Sequence, residues 1–135
     1  MGTPTRFQQN ECNHELTIFD SAARTATANS SDFENISARG IWLALNITAA
    51  SGTTPTLDIK VQRKDPLSDT YYDVVGGAFA QKTGMGSDDL IIYPGITAAA
   101  NRAVSSAIAS RWRVVATIGG TTPSFTFSVS GGYIV

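Results

Sequence analysis

The sequence predicts an all-β fold: a single-domain antiparallel β-sandwich, with a jelly roll as one way of connecting it, behind an extended N-terminal arm. Three observations lead there. Apolar and polar residues alternate in Gly40–Ala49 and again in Leu57–Gln62, which puts every second side chain on one face of a strand. Glycine and proline interrupt the chain at short intervals, the punctuation of turns rather than of helices. Finally, one ten-residue phrase occurs twice, as GTTPTLDIKV at 52–61 and GTTPSFTFSV at 120–129.

Residues 1–14 are polar and aperiodic, and they are expected to form an extended arm, with the domain proper over 15–135. Leu16–Phe19 is a short apolar stretch, and Arg24–Ala28 (RTATA) alternates like an exposed strand. Asn29–Asp32 has the composition of a turn. The segment GIWLALNITA places Ile41, Leu43, Leu45 and Ile47 on one face and Trp42, Ala44, Asn46 and Thr48 on the other. Residues 50–55 are expected to turn, after which Leu57, Ile59 and Val61 face one way and Asp58, Lys60 and Gln62 the other. Clean alternation of this kind marks an antiparallel sheet with one dry face. A second turn at Lys64–Asp69 leads to Tyr71–Val75 and completes a meander.

Gly76-Gly77, Gly84 and Gly86 are expected in loops, and Leu90–Tyr93 in a strand closed by Pro94-Gly95. Ile96–Ser110 is ambiguous. Ala100, Val104 and Ala107/Ile108 have helical spacing, but the ends lack good caps and Thr97, Asn101 and the serines weaken the propensity. A short helix is therefore the less favoured reading. Arg111–Ile118 repeats the first long strand, Gly119–Pro123 the turn, Phe125, Phe127 and Val129 the inward face, and Tyr133–Val135 supplies the last strand.

Each copy of the phrase reads as a hairpin, with Pro placed at a strand start where no ladder N–H is needed. Two such hairpins bury their apolar faces against each other. The expected core is therefore Leu43, Leu45, Leu57, Ile59, Val61, Phe125, Phe127 and Val129. An internal duplication and two independently good hairpins account for the phrase equally well.

A chain of 135 residues fits one domain and can bury about two-thirds of its unfolded surface without metal or disulfide staples. Only 16% of its residues are charged and the formal net charge is −1, where soluble domains typically carry about 25% charged residues. That balance gives no electrostatic case for nucleic acid. The nearest basic cluster, Lys60, Arg63 and Lys64, reads as a solvated strand edge. Hydroxyl-rich surfaces desolvate more readily than ionic ones, which suits contact with another protein. Cys12 is the single cysteine and reads as an inert thiol in a reducing compartment. No signal-like or membrane-length apolar run is present, so cytoplasmic synthesis and no membrane partner are expected.

No catalytic, cofactor-binding or metal-binding set is expected. His14 is the only histidine and sits in the arm beside Cys12, and two ligands do not make a metal site. Asp65, Asp69 and Asp73 recur every four residues, whereas a calcium loop needs oxygens at alternate positions and a glycine at its bend. Asp88 and Asp89 are adjacent in an exposed loop, a poor arrangement for converging on one bond. Tyr71, Tyr72 and Tyr93 offer a sugar-stacking surface, with ordinary cross-strand packing the simpler reading.

The succession RGIWLALNITAASGTTPTLDIKVQRKDPLSDTYYDV, then IIYPGI, then RWRVVATIGGTTPSFTFSV, resembles small virion proteins of tailed bacteriophages, some of which are β-sandwiches that decorate or cement capsids. The likeness spans roughly residues 39–135 and rests on turn and core positions. It implies a non-enzymatic structural role at the capsid surface, with the major capsid protein as partner and no cofactor. It also implies a homotrimer over local symmetry axes, with residues 1–14 as an arm reaching to neighbours. The alternatives are a glycan- or receptor-binding module of a tail or head fibre, or a tail or neck component. Ordering an arm on docking has an entropic cost, which many copies on a symmetric shell can offset.

Overall fold

In chain order the strands are β1 (Glu15–Arg24), β2 (Ala28–Asn29), β3 (Phe33–Glu34), β4 (Gly40–Lys64), β5 (Tyr71–Ala78), β6 (Gly86–Ile92), β7 (Ala103–Val104) and β8 (Arg111–Ile134). They are seen in a computed structural model that describes residues 14–135. The expected arm, including Cys12, lies outside the described residues except for His14. Among the described residues the protein is all-β, as expected, and Ile96–Ser110 holds turns and β7 in place of a helix.

The eight strands form one sheet rather than two separate ones, because β4 and β8 are long enough to belong to both of its halves. They pair antiparallel from Gly40↔Ile134 to Arg63↔Trp112. In the first half, β1 flanks the C-terminal leg of β8, and β6 flanks the N-terminal leg of β4, with β7 added in parallel. In the second half, β2 and β3 flank the N-terminal leg of β8, and β5 flanks the C-terminal leg of β4.

The two copies of Gly-Thr-Thr-Pro are not hairpin turns. Each lies inside a continuous strand, and the two copies pair with each other. Thr53 faces Thr121, and the pairs Ser51↔Ser124 and Thr56↔Gly119 lie on either side. Exchanging one copy for the other leaves Thr53↔Thr121 in place and interchanges the two flanking pairs, so the repeat generates a local two-fold axis. Gly52 and Gly120 have φ of 114° and 111°, and Thr54 and Thr122 share a φ of 46°. This left-handed backbone bends a strand through a β-bulge without reversing it. Glycine and proline signal a departure from regular strand geometry, and the partner strand decides whether that becomes a turn or a bend.

The bulges also explain the burial pattern. β4 gains an extra residue between Ile47 and Ala49 and another between Thr53 and Thr56, so its inward side chains keep odd numbers: Leu43 and Leu45, then Leu57, Ile59 and Val61. β8 gains one, between Thr121 and Ser124. Its inward set therefore switches from Trp112, Val114 and Ala116 to Phe125, Phe127 and Val129. All eight side chains expected inside are buried, and they belong to one apolar cluster fed by both halves of the sheet. Each such Leu, Ile or Phe contributes roughly 1.5–3 kcal/mol by leaving water.

Trp112 and Tyr133 join the halves. Trp112 lies on the second-half leg of β8 and Tyr133 near the end of the first-half leg, yet their rings meet edge to face at 5.9 Å. The Trp112 indole N–H donates to the Tyr133 hydroxyl at 3.0 Å, which in turn donates to the Glu34 carbonyl at 2.7 Å. Ser30, the one buried polar residue among those described, is satisfied by two 2.8 Å bonds with the Val114 backbone.

Candidate functional site

The acidic residues that invite a catalytic reading are dispersed and occupied. Asp65 caps its own turn, accepting from the Leu67 N–H at 2.9 Å and the Ser68 hydroxyl at 2.7 Å, and both bonds hold its carboxyl below the usual range. Asp73 accepts from Gln62 at 2.9 Å and pairs with Lys60 at 3.1 Å, again lowering its pKa. Asp69 sits at a φ of 61° in the same turn as Asp65 and lies 3.6 Å from Lys64. These three aspartates do not converge. Among the described residues no group of three or more His, Cys, Asp or Glu is placed to hold a metal ion.

Asp88 and Asp89 are separated by the strand they occupy. The Asp88 side chain is only 9% exposed and pairs with Lys82 at 2.7 Å and Arg102 at 3.3 Å. Burial alone would raise its pKa, but the bond from Lys82, the Asp89 N–H and the two positive charges outweigh that and lower it. Asp89 points to the outer face and pairs with Arg102 at 3.3 Å. Lys60 and Lys64, from the basic cluster, are likewise neutralised within the fold, and Lys64 bonds Asp32 at 2.7 Å. Arg63 lines a recess of about 550 Å³ between β5 and residues 98–106, where the other lining residues are not ionisable.

The tyrosines do not form a platform. Tyr71 is covered by Arg113, whose guanidinium carbon stands 3.5 Å from the ring centre, and its hydroxyl donates to Asp32 at 2.7 Å. Tyr72 is exposed, while Tyr93 is half-buried beside Gly40.

Two surface features remain. One is the end of the molecule remote from the Gly-Thr-Thr-Pro bend. Glu34, Ile36 and Tyr133 meet there around a recess of about 280 Å³, which His14 also lines. The Tyr133 N–H donates to the His14 carbonyl at 2.8 Å, so the described chain begins at this end. The β4–β5 turn is anchored beside it, because Lys64 and Tyr71 both grip Asp32 just before β3. Ile36 and Leu67 stand 89% and 93% exposed at this end.

The other feature is Trp42, on the outer face of the first half and 42% exposed. Its indole N–H donates to Asp89 Oδ2 at 3.0 Å. Across the sheet it faces Gly132 on β8 and Ile91 on β6, and one step along that face Ala44 and Ser130 are small. The ring therefore stands clear between two shallow recesses of about 480 and 450 Å³. Sequence reading does not single it out, although an aromatic opposite the apolar face of a strand is the signal.

No protein-family model matches the chain, and no curated protein matches it.

Proposed function

We propose that the protein is a non-enzymatic attachment protein of a bacteriophage head, docking on the major capsid protein as a homotrimer and stabilising the shell at its surface. In this reading the bent sheet acts as a compact sandwich-like body. The observation that carries it is the pair Ile36 and Leu67, standing almost fully exposed at the end where His14 begins the described chain. One exposed leucine or isoleucine is ordinary, but two at a single end gain free energy when covered. Two charged pairs beside them are already matched, Lys64 with Asp32 and Arg111 with Glu34, which lowers the desolvation cost of docking there.

The test is imaging. Purified protein is mixed with heads assembled without it, and the particles are examined by cryo-electron microscopy. Regular three-fold density over the shell supports the reading, and Ile36→Asp and Leu67→Asp variants should lose it while unfolding at the wild-type urea midpoint. Density confined to a tail or a single vertex would point to a neck or tail component. Bare heads at saturating protein would end the proposal.

A further inference from the structure

We infer that the outer face around Trp42 is a binding platform for a neutral oligosaccharide. This goes beyond head attachment, since it uses a different surface at the middle of the first half of the sheet.

A sugar ring offers an apolar face of C–H groups and a polar rim of hydroxyls. A site for it needs a fixed, exposed aromatic plane with hydrogen-bonding groups around it, not beneath it. Trp42 meets the first requirement. Its N–H is held by Asp89, and Asp89 is itself held by Arg102, so the indole is braced in one orientation with 42% of its surface open. The register explains the open side: Gly132 stands opposite on β8 and contributes no side chain, while Ile91 flanks the ring on β6.

The second requirement is met on both sides. Towards β1, the recess of about 480 Å³ is lined by Thr17 and Ser130 together with the ring. Towards β6, the recess of about 450 Å³ presents Asn46, Ser87, Asp89 and Arg102. Asn46 Oδ1 accepts from the Ser87 hydroxyl at 3.0 Å, an arrangement that orders the pair before any ligand arrives. A few placed polar groups around an aromatic surface are what fixes the orientation of a small ligand.

The surroundings argue for sugar over protein. A tryptophan that anchors a protein interface sits among apolar neighbours that seal out water, whereas this one has Ile91 beside it on β6 but glycine, hydroxyls and an amide towards its two recesses. The charges argue for a neutral sugar. Arg102 and Lys82 are both committed to Asp88 and Asp89, and Glu15 at the far rim leaves the face slightly negative. A uronic or sialic acid would be repelled.

The protein has two tryptophans, and Trp112 is fully buried, so iodide quenching of fluorescence reads Trp42. The probes are cellohexaose, laminarihexaose and chitohexaose, with an oligogalacturonide as the acidic counterpart, each titrated to millimolar concentration. Protection of Trp42 by at least one neutral hexasaccharide is expected, and titration calorimetry, which needs no tryptophan and so also reads the variants, should show binding weakened about tenfold or more in Trp42→Ala. Trp42→Phe should bind between the two. Unchanged Trp112 emission in Trp42→Ala certifies its fold, and Trp42→Phe carries the comparison if it does not. The proposal is overturned if no neutral probe protects the ring, if Trp42→Ala binds as well as the wild type, or if the oligogalacturonide binds best. Protection that grows with protein concentration in the absence of sugar also overturns it, because a second copy would then be the occupant.

Discussion

Gly52 and Gly120 are each seated against the other's strand. A methyl group on Gly52 would stand 2.7 Å from the Thr122 carbonyl oxygen, and one on Gly120 would stand 2.7 Å from that of Thr54. Both obstacles are backbone, and both glycines occupy positive φ. Gly52→Ala and Gly120→Ala should therefore each lower stability by about 2–4 kcal/mol, combining strain with displacement of the facing strand. Urea unfolding measures this. Because the two sites share one contact region, the double variant should lose less than the sum of the two. Losses under half a kilocalorie would mean that the bend is not locked in this way.

Thr54 and Thr122 make the opposite prediction. Each holds a β-branched side chain at a φ of 46°, a region such residues avoid. Each hydroxyl only returns to the carbonyl of the preceding threonine, at 2.8 Å. Asparagine tolerates this backbone, so Thr54→Asn or Thr122→Asn should raise stability by roughly 0.5–1 kcal/mol. A lower thermal midpoint in both variants would show that the threonines have a packing role here.

Tyr133→Phe leaves the Trp112 indole N–H without its acceptor and should cost about 1–3 kcal/mol at neutral pH. The pH dependence should change as well. Burial pushes the Tyr133 hydroxyl above its ordinary value of 10.0, the charge on Glu34 adds to this, and the bond from Trp112 opposes it. A raised native pKa means that the unfolded chain loses its proton first. The stabilisation is then intact below about pH 10 and drains away as the pH rises through the native value. Urea midpoints measured from neutral into alkaline solution should fall more steeply for the wild type than for Tyr133→Phe, and parallel curves would refute this.

Asp32 governs the acid side. The bond from Lys64, then that from Tyr71, holds its carboxyl below 3.8. A depressed native pKa stabilises the fold above the unfolded value, and that contribution is lost as the pH falls through the native one. Asp32→Asn should lower the urea midpoint slightly at neutral pH and flatten its decline between about pH 4 and 2. An unchanged acid slope would assign acid sensitivity to Asp65, Asp73 or Asp88, whose carboxyls are also depressed.

Trp42 shows how far the candidate sites could be read in advance. Alternation places it on the wet face of its strand, but its exposure depends on Gly132, ninety positions along the chain, being its cross-strand neighbour. Ile36 and Leu67 likewise share one end of the molecule because β3 and the end of β4 flank the same stretch of β8 at Trp112, with Lys64 and Tyr71 closing on Asp32. Neither arrangement leaves a mark in local sequence. Tyr71 misleads in the other direction, since a tyrosine in a strand looks available until Arg113 is found lying on its ring.

What the amino-acid order determined unaided was the β character of the chain and the inward side of its clearest stretches, around Leu43 and Leu45, Leu57 to Val61, and Phe125 to Val129. Side-chain period is a local property of the backbone, and burial follows it directly. The path of the chain through Gly52-Thr53-Thr54-Pro55 and its copy was decided only in three dimensions. A positive-φ glycine beside a proline permits both reversal and bending, and the choice fell to the hydrogen bonds that each copy offers the other across the sheet.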